Sequence, residues 1–412
     1  MVQIHLGSHL MKIIKLFLIA TLASLIPGQI VRLPFFSAPG ALTISDIFAV
    51  SVDLIFLIFA LFVKKSLKLP PNTFFPAFLF MLSATASTIL AVNVFKLAEI
   101  IISLLFLVRF IIYFFLSIII YNVVNKKDVD QWLKIILSVG FLFIGLGLFQ
   151  FILFPDLSFL TVHGWDPHQQ RIVSTLLDPN FSGFVFAAVF AISTSLYLYQ
   201  QKELQIISFY PFLSAISFIA LILTFSRSSY LAFLTAIVTI GVLKSPKLFF
   251  AVLFLFAVAF SQIPQVKARI VGAFTLDETS KARIESWQKG LAIFKNNFLF
   301  GVGFNTYRYA QVEYGFFSPD EPEGGHSGAG SDSSIILVAA TTGIVGLFFY
   351  LFLLFRILKI FMKRATKGYV HLASLSVFLA LLVHSQFVNS LFFPQIMLLL
   401  WMILGLVQLY DT

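Results

Sequence analysis

QIPQVKARIVGAFTLDETSKARIESWQKGLAIFKNN, residues 262–297, opens the one long polar stretch of the chain. From Gln262 to Ser334 it carries Lys267, Arg269, Lys281, Arg283, Lys289, Lys295 and Arg308 together with eight carboxylates. Side chains of this kind are almost never fully buried unless paired, so the stretch belongs in water, while the residues on either side are overwhelmingly apolar. It reads as the single soluble piece of a membrane protein. The expected fold class is all-α: a polytopic transmembrane helical bundle with one large outward-facing loop that contains an amphipathic helix.

Composition points the same way. Of 412 residues, 59% are hydrophobic and 11% charged, and the mean hydropathy is +0.97; in globular domains about a quarter of residues are charged. The formal net charge of +10 would suit nucleic acid only as a basic patch on a soluble surface. Here most cations fall between hydrophobic runs, so they are topology signals and no nucleic-acid partner is expected. The absence of cysteine excludes disulfides and thiolate metal sites.

Helices of roughly 20 apolar residues cross a bilayer because every backbone group must be satisfied internally. Such stretches fall near 12–27, 43–63, 73–94, 98–124, 132–155, 180–200, 205–224, 229–243, 247–262, 334–358, 369–386 and 391–410, about twelve spans by length. Lys12 and Lys15 with the apolar run to Pro27 look like a signal peptide, but no A-x-A cleavage pattern follows, so an uncleaved first span is expected. Residues 1–261 then hold spans one to nine, 262–333 the large extracytoplasmic loop, and 334–412 spans ten to twelve.

Short cytoplasmic loops collect Lys and Arg. With the N-terminus inside, the cytoplasmic ends hold Lys12, Lys15, Lys64, Lys65, Lys68, Lys126, Lys127, Lys134, Lys202, Lys244, Lys247, Arg356, Lys359, Lys363, Arg364 and Lys367, whereas the opposite short loops carry Arg32, Lys96, Arg171 and Arg227. Both termini are therefore expected in the cytoplasm and the polar stretch outside. Asp53 and Arg109 fall near mid-membrane at 1.5 Å per residue, and intramembrane charges usually pair; a pair between them is expected. Asp46, Glu99 and Glu203 fall near interfaces and are expected to be solvated. Asp128-Val129-Asp130 has the look of a metal-binding D-x-D, yet it lies beside a lysine pair at a helix start, where acidic residues are ordinary.

Three separated stretches reach the expected outer face. Arg171 precedes Asp178-Pro179-Asn180, a good helix start in which Asp178 and Asn180 read as capping residues. Ser226-Arg227-Ser228 turns between two spans, where an arginine between hydroxyls is either an anion site or a snorkelling cation. In the polar stretch, Ile284, Trp287, Leu291, Ile293 and Phe294 recur at helical spacing among Arg283, Lys289 and Lys295, the pattern of an amphipathic helix on a membrane surface. Gly301-Val302-Gly303 follows as a weak phosphate signal. Ser318 to Ser331 is too polar to pack, a linker or a lid. Asp332 stands where a cap for the tenth span is wanted, and Gly343 and Gly346 suggest close helix packing.

The series Arg171…Asp178-Pro179-Asn180, Ser226-Arg227-Ser228, Arg283…Trp287…Gly301-Val302-Gly303-Phe304 and Asp332-Ser333…Gly343-Ile344-Val345-Gly346-Leu347 resembles, in order and spacing, the O-antigen ligase and O-antigen polymerase superfamily. The resemblance implies a membrane glycosyltransferase of the bacterial inner membrane, acting at its outer face. Such enzymes transfer glycan from an undecaprenyl diphosphate carrier to an acceptor hydroxyl, with inversion and with neither metal nor cofactor. Expected partners are that donor, a glycan or lipid-linked acceptor, and membrane lipids. Arg227 and Arg283 match the family's arginine positions and, with Arg171 as a third, are assigned to the diphosphate. Asp332 and His326 are the candidate catalytic residues. Lipopolysaccharide ligases carry His-Asn where this chain has Asp332-Ser333, which tilts the reading toward polymerase activity. A polyprenyl-glycan flippase or other secondary transporter is the alternative, since it too has many spans and intramembrane charges.

Overall fold

The computed structural model describes residues 2–34, 40–199, 209–317 and 330–410. Lys202, Glu203 and the Ser318–Ala329 stretch with His326 lie outside the described residues. Described strands are limited to one antiparallel pair, β1 (Arg32–Pro34) and β2 (Ala41–Thr43), with Arg32 opposite Thr43. The helices are α1 (Val2–Ala23), α2 (Ile44–Ile58), α3 (Phe74–Leu90), α4 (Leu97–Val123), α5 (Val129–Leu153), α6 (Pro179–Tyr199), α7 (Phe209–Ile222), α8 (Arg227–Leu243), α9 (Pro246–Gln262), α10 (Pro264–Phe274), α11 (Glu278–Asn296), α12 (Tyr307–Glu313), α13 (Ser334–Met362), α14 (Tyr369–His384) and α15 (Pro394–Gln408).

The chain is thus all-helical apart from that short pair. Each apolar stretch of the sequence coincides with one of these helices, but length and composition qualify six as membrane-crossing, or seven if α9 and α10, bent by 96°, count as one. The helices α7, α8, α14 and α15 are apolar and shorter. Proline shortens some of them: Pro264 lacks the N–H that would continue α9 and starts α10 instead, and Pro394 occupies the first turn of α15.

In lipid, apolar surface gains little by meeting other apolar surface, so helices associate through small residues and interhelical hydrogen bonds. The centre is α6, buried without a break from Ser182 to Leu196. A Cβ at Gly183 would lie 2.3 Å from Ser229 Oγ of α8, and one at Gly405 of α15 would lie 2.8 Å from Ile120 Cβ of α4. Ser193 and Ser214 hydroxyls meet at 2.7 Å, Gln29 Nε2 donates to Gln395 Oε1 at 2.8 Å, and Gln408 Nε2 to Thr73 Oγ1 at 2.6 Å. At one end of the bundle Lys15 pairs with Asp128 at 3.3 Å, Lys64 Nζ donates to Asn122 Oδ1 at 3.2 Å, and Lys126 lies 4.7 Å from the Tyr410 ring centre.

The mid-membrane pair is different from that expected. Arg109 Nε meets Asp46 Oδ1 at 2.9 Å, and its Nη2 donates to Asp46 Oδ2 at 3.0 Å and to the Ala41 carbonyl at 2.7 Å. Asp46 is buried, not solvated, because it closes a capping box with Thr43 at the start of α2. Asp53 lies seven residues on, two turns or about 10.5 Å along the same face, and its Oδ1 has no partner. The capping box decides which carboxylate the arginine reaches.

The helix α13 is broken. Gly343 has φ 64° and ψ −168° in its middle, a conformation that only glycine adopts cheaply. The freed backbone groups are taken up by the polar stretch: Val302 N–H donates to the Ala340 carbonyl at 3.1 Å, Gly303 N–H to Thr341 at 3.0 Å, and Ile344 N–H to Phe298 at 2.8 Å. Irregular backbone inside a membrane protein persists only when protein satisfies it in this way. Gly301-Val302-Gly303 is accordingly a backbone plug, and a Cβ on Gly301 would lie 2.4 Å from the Thr341 carbonyl carbon. The polar stretch is not wholly peripheral either, since Phe304 sits inside the bundle against Phe80 and Phe392 at 6.1 and 5.8 Å.

Replacing Gly343 by alanine adds a Cβ 2.3 Å from the Leu299 carbonyl to a backbone that alanine resists. The expected loss is about 3 kcal/mol, read as a lower thermal midpoint in detergent. Gly145→Ala in α5, where the Cβ meets nothing within 4 Å, is the control and should hold or raise the midpoint. Equal midpoints for Gly343→Ala and wild type would remove the interlock from the stability of the fold.

Candidate active site

The helix α11 starts at Asp277, whose Oδ1 accepts from the Ser280 N–H at 3.0 Å. With the start fixed, Asp277, Ser280, Arg283, Ser286, Trp287 and Gly290 recur every three or four residues and share one face. That face meets α8 and α13. Arg227 Nη2 pairs with Asp277 Oδ1 at 3.0 Å and its Nη1 donates to Ser280 Oγ at 2.9 Å. The Asp332 N–H donates to Ser286 Oγ at 3.0 Å, and Gly290 admits the Ile336 side chain, 2.5 Å from where a Cβ would stand.

Arg283, at the centre of the face, makes no hydrogen bond or ion pair among the described residues; its strongest charged neighbours are Asp332, Arg227 and Asp178. Burial lowers its pKa, with Asp332 opposing and Arg227 adding, and a guanidinium stays charged regardless. Asp332 faces it without closing an ion pair. The cap of α13 is Ser333, whose Oγ accepts from Ile336 N–H at 3.3 Å, and the Asp332 carboxylate has no hydrogen bond or ion pair among the described residues. Burial raises its pKa, against Arg283 and together with Asp178 and Asp166.

Arg171 approaches from the segment before α6. Its Nε donates to the Thr224 carbonyl at 2.8 Å and its Nη2 to Phe225 at 3.2 Å, so it answers the carbonyl end of α7. Burial, then Arg269, pushes its pKa down to about 10. Asp178 caps α6 as its Asp-Pro setting predicts, Oδ1 accepting from Asn180 N–H at 2.6 Å and Phe181 N–H at 3.1 Å. His168 is neutral at pH 7: burial and Arg171 bring its pKa down to about 4.

Asn180 is more than a capping residue. Its Oδ1 accepts from Ser226 Oγ at 2.7 Å and Ser228 Oγ at 3.1 Å, so those hydroxyls orient Asn180 and do not hold Arg227. The Asn180 carbonyl receives Ser229 Oγ at 3.0 Å and His384 Nε2 at 3.1 Å. His384 Nδ1 is buried without a partner, and its ring feels the charge of Arg283.

The structure thus brings Arg171, Arg227, Arg283 and Asp332 to one place, while His326 lies outside the described residues. Sequence reasoning missed Arg269 and His384. Arg269 sits on α10 and carried no signal that separated it from Lys267. His384 did carry one, as an ionisable residue in an apolar helix, a functional candidate by default. Asp128 and Asp130 do not converge: Asp128 pairs with Lys15, and Asp130 accepts from the Tyr369 hydroxyl.

Fold and site together define a helical protein with several helices long and apolar enough to cross a membrane and a cluster of arginines beside a carboxylate. Residues 212–351 match the family model described as O-Antigen ligase, the superfamily that the sequence resembles. The match contains Arg227, Arg283 and Asp332 and stops short of Arg171 and His384. It supports a glycan-handling function of that type at a membrane. No curated protein matches the chain.

Proposed function

We propose that this protein transfers or polymerises glycan units from an undecaprenyl diphosphate carrier onto an acceptor hydroxyl, inverting at the sugar and needing no metal. The observation that carries the reading is Arg283 and Asp332, electrostatic neighbours beside Arg227 that are both without a hydrogen bond or ion pair among the described residues. An apolar groove of about 340 Å³ between α8, α9 and α10 runs from Arg227 past Tyr230, Phe233, Val252, Phe256 and Phe274. It suits an isoprenoid chain whose diphosphate would end at the arginines. Arginine offers a planar, permanently charged fork to phosphate oxygens.

In this scheme Asp332 accepts the proton of the acceptor hydroxyl as its oxygen attacks the anomeric carbon. The bond from that carbon to the diphosphate breaks on the opposite face, and the electron pair leaves with the diphosphate. Arg283 stabilises the growing charge. Arg227 is already half-answered by Asp277, so it holds the donor more than it drives bond breaking. We place the site on the outer face of the bacterial inner membrane. This reading takes the Lys and Arg bias of the short loops as its support, and with it come twelve spans, both termini inside, and the division into 1–261, 262–333 and 334–412.

The break at Gly343 favours the alternative of transport, since transporters build their sites at discontinuous helices. Against it, the freed backbone groups are filled by Phe298 to Gly303. The test supplies purified protein with a polyprenyl diphosphate glycan, an acceptor and EDTA. Free polyprenyl diphosphate is expected, at least about tenfold less in Arg227→Ala. Lipid-linked glycan crossing proteoliposomes uncleaved would establish transport, and loss of product with EDTA would overturn metal independence.

A further inference from the structure

The segment 171–177 has two sides. On one, the Arg171 guanidinium faces the arginine cluster. On the other, Gln150 holds its backbone: Oε1 accepts from Val173 N–H at 3.0 Å and Ser174 N–H at 3.3 Å, and Nε2 donates to the Arg171 carbonyl at 3.3 Å. Beyond Gln150 lies a cavity of about 900 Å³ whose wall includes Gln29, Arg32, Leu146, Phe149, Phe159 and Trp165.

Arg32 is the one charged residue in that wall. Its guanidinium carbon stands 5.1 Å from the Trp165 ring centre, and it has neither hydrogen bond nor ion pair among the described residues. The sequence from 35 to 39 contains no carboxylate. Gln29 and Gln150 are already committed, Gln29 to Gln395. Burial lowers the Arg32 pKa, and the Arg109 charge adds to that. At Gly40 and Ala41 the cavity meets a second, apolar groove of about 210 Å³ between α2 and α4. There the Arg109 charge is met by Asp46; the Arg32 charge is met by no carboxylate among the described residues.

We propose that this cavity binds the phosphate headgroup of an anionic membrane lipid on Arg32, with a hydrocarbon chain of that lipid in the groove between α2 and α4. A half-buried cation without a counter-ion is costly, and a phosphate answers it with the fork geometry arginine favours. Tryptophan is at home at headgroup depth. Phe149 and Phe159, 55% and 60% exposed, give the opening an apolar rim. The site stands apart from the arginine cluster, shares only the 171–177 wall with it, and does not depend on glycan transfer.

The test places the full-length protein in nanodiscs with a phosphatidylglycerol analogue bearing a photoreactive acyl chain and maps labelled residues by mass spectrometry. Label is expected within 102–112 and 146–165, reduced about tenfold in Arg32→Ala and unchanged in Arg283→Ala. Excess phosphatidylglycerol should displace it, and inorganic phosphate should not. Leu146→Trp, which fills the cavity and keeps Arg32, should lower the label equally, and serves alone if Arg32→Ala does not fold. Equal labelling by a phosphatidylcholine analogue, displacement by inorganic phosphate, or labelling indifferent to Leu146→Trp would each overturn the proposal.

Discussion

Arg283→Ala is expected to lower the rate of glycan transfer by about 10²- to 10³-fold, the range found when one preorganised charge-stabilising donor is removed, with a much smaller change in donor KM. The reason lies in what Arg283 does not touch. Arg227 gives Nη2 to Asp277 and Nη1 to Ser280, and Arg171 gives Nε and Nη2 to backbone carbonyls. Arg283 has no such commitment, so its charge is available when the diphosphate begins to leave. Arg283→Lys keeps the charge and loses the fork, so it should recover only part of the rate. Arg171→Ala is the contrast: it uncaps α7, and its loss should register as a lower thermal midpoint as well as lower activity. Turnover of Arg283→Ala within about threefold of wild type would leave the cluster without its proposed leaving-group role.

Much of this cluster was legible in the chain, for reasons of different strength. Arg171 and Arg227 stand out because a cation in a short loop on the lysine-poor side has no topological purpose. Arg283 stands out through the resemblance and through its place in an amphipathic pattern with Ile284, Trp287 and Leu291. The all-helical class followed from the long apolar runs, since no other backbone arrangement but a closed barrel survives in lipid.

What was hidden depends on contacts far apart in sequence. Asp46 looked like an interfacial residue, and only the way α2 begins at Thr43 turns it toward Arg109. Gly301-Val302-Gly303 looked like a phosphate turn, because nothing local announces that Gly343, about forty residues on, opens α13 to receive it. Asn180 looked like a cap until Ser226 and Ser228, brought across by the α7 to α8 turn, were seen to fix its amide. The span count is least secured by helix length, as α7, α8, α14 and α15 are short. Helices wholly enclosed by others, as α15 is along its length, need not reach through lipid on their own.

Asp332→Asn is expected to reduce turnover by about 10²-fold or more while donor binding changes little, and the pH profile tells whether the carboxylate acts as base. A base must be ionised. Burial raises the Asp332 pKa above the ordinary aspartate value, with Asp178 and Asp166 adding and Arg283 opposing. Activity should therefore be full well above that raised value and fall as pH drops through it, at higher pH than an unperturbed aspartate at about 3.9 would give. The coupling supplies the sharper test. Removing the Arg283 charge removes the influence that holds the Asp332 pKa down, so the residual activity of Arg283→Ala should show its acid limb moved to higher pH, whereas Arg283→Lys should move it less. A structural role for Asp332 would lower the rate without moving the limb. Should Asp332→Asn keep the wild-type acid limb, the proton must go elsewhere. His384, whose Nδ1 has no partner among the described residues and whose Nε2 is anchored on the Asn180 carbonyl, would be the group to replace next.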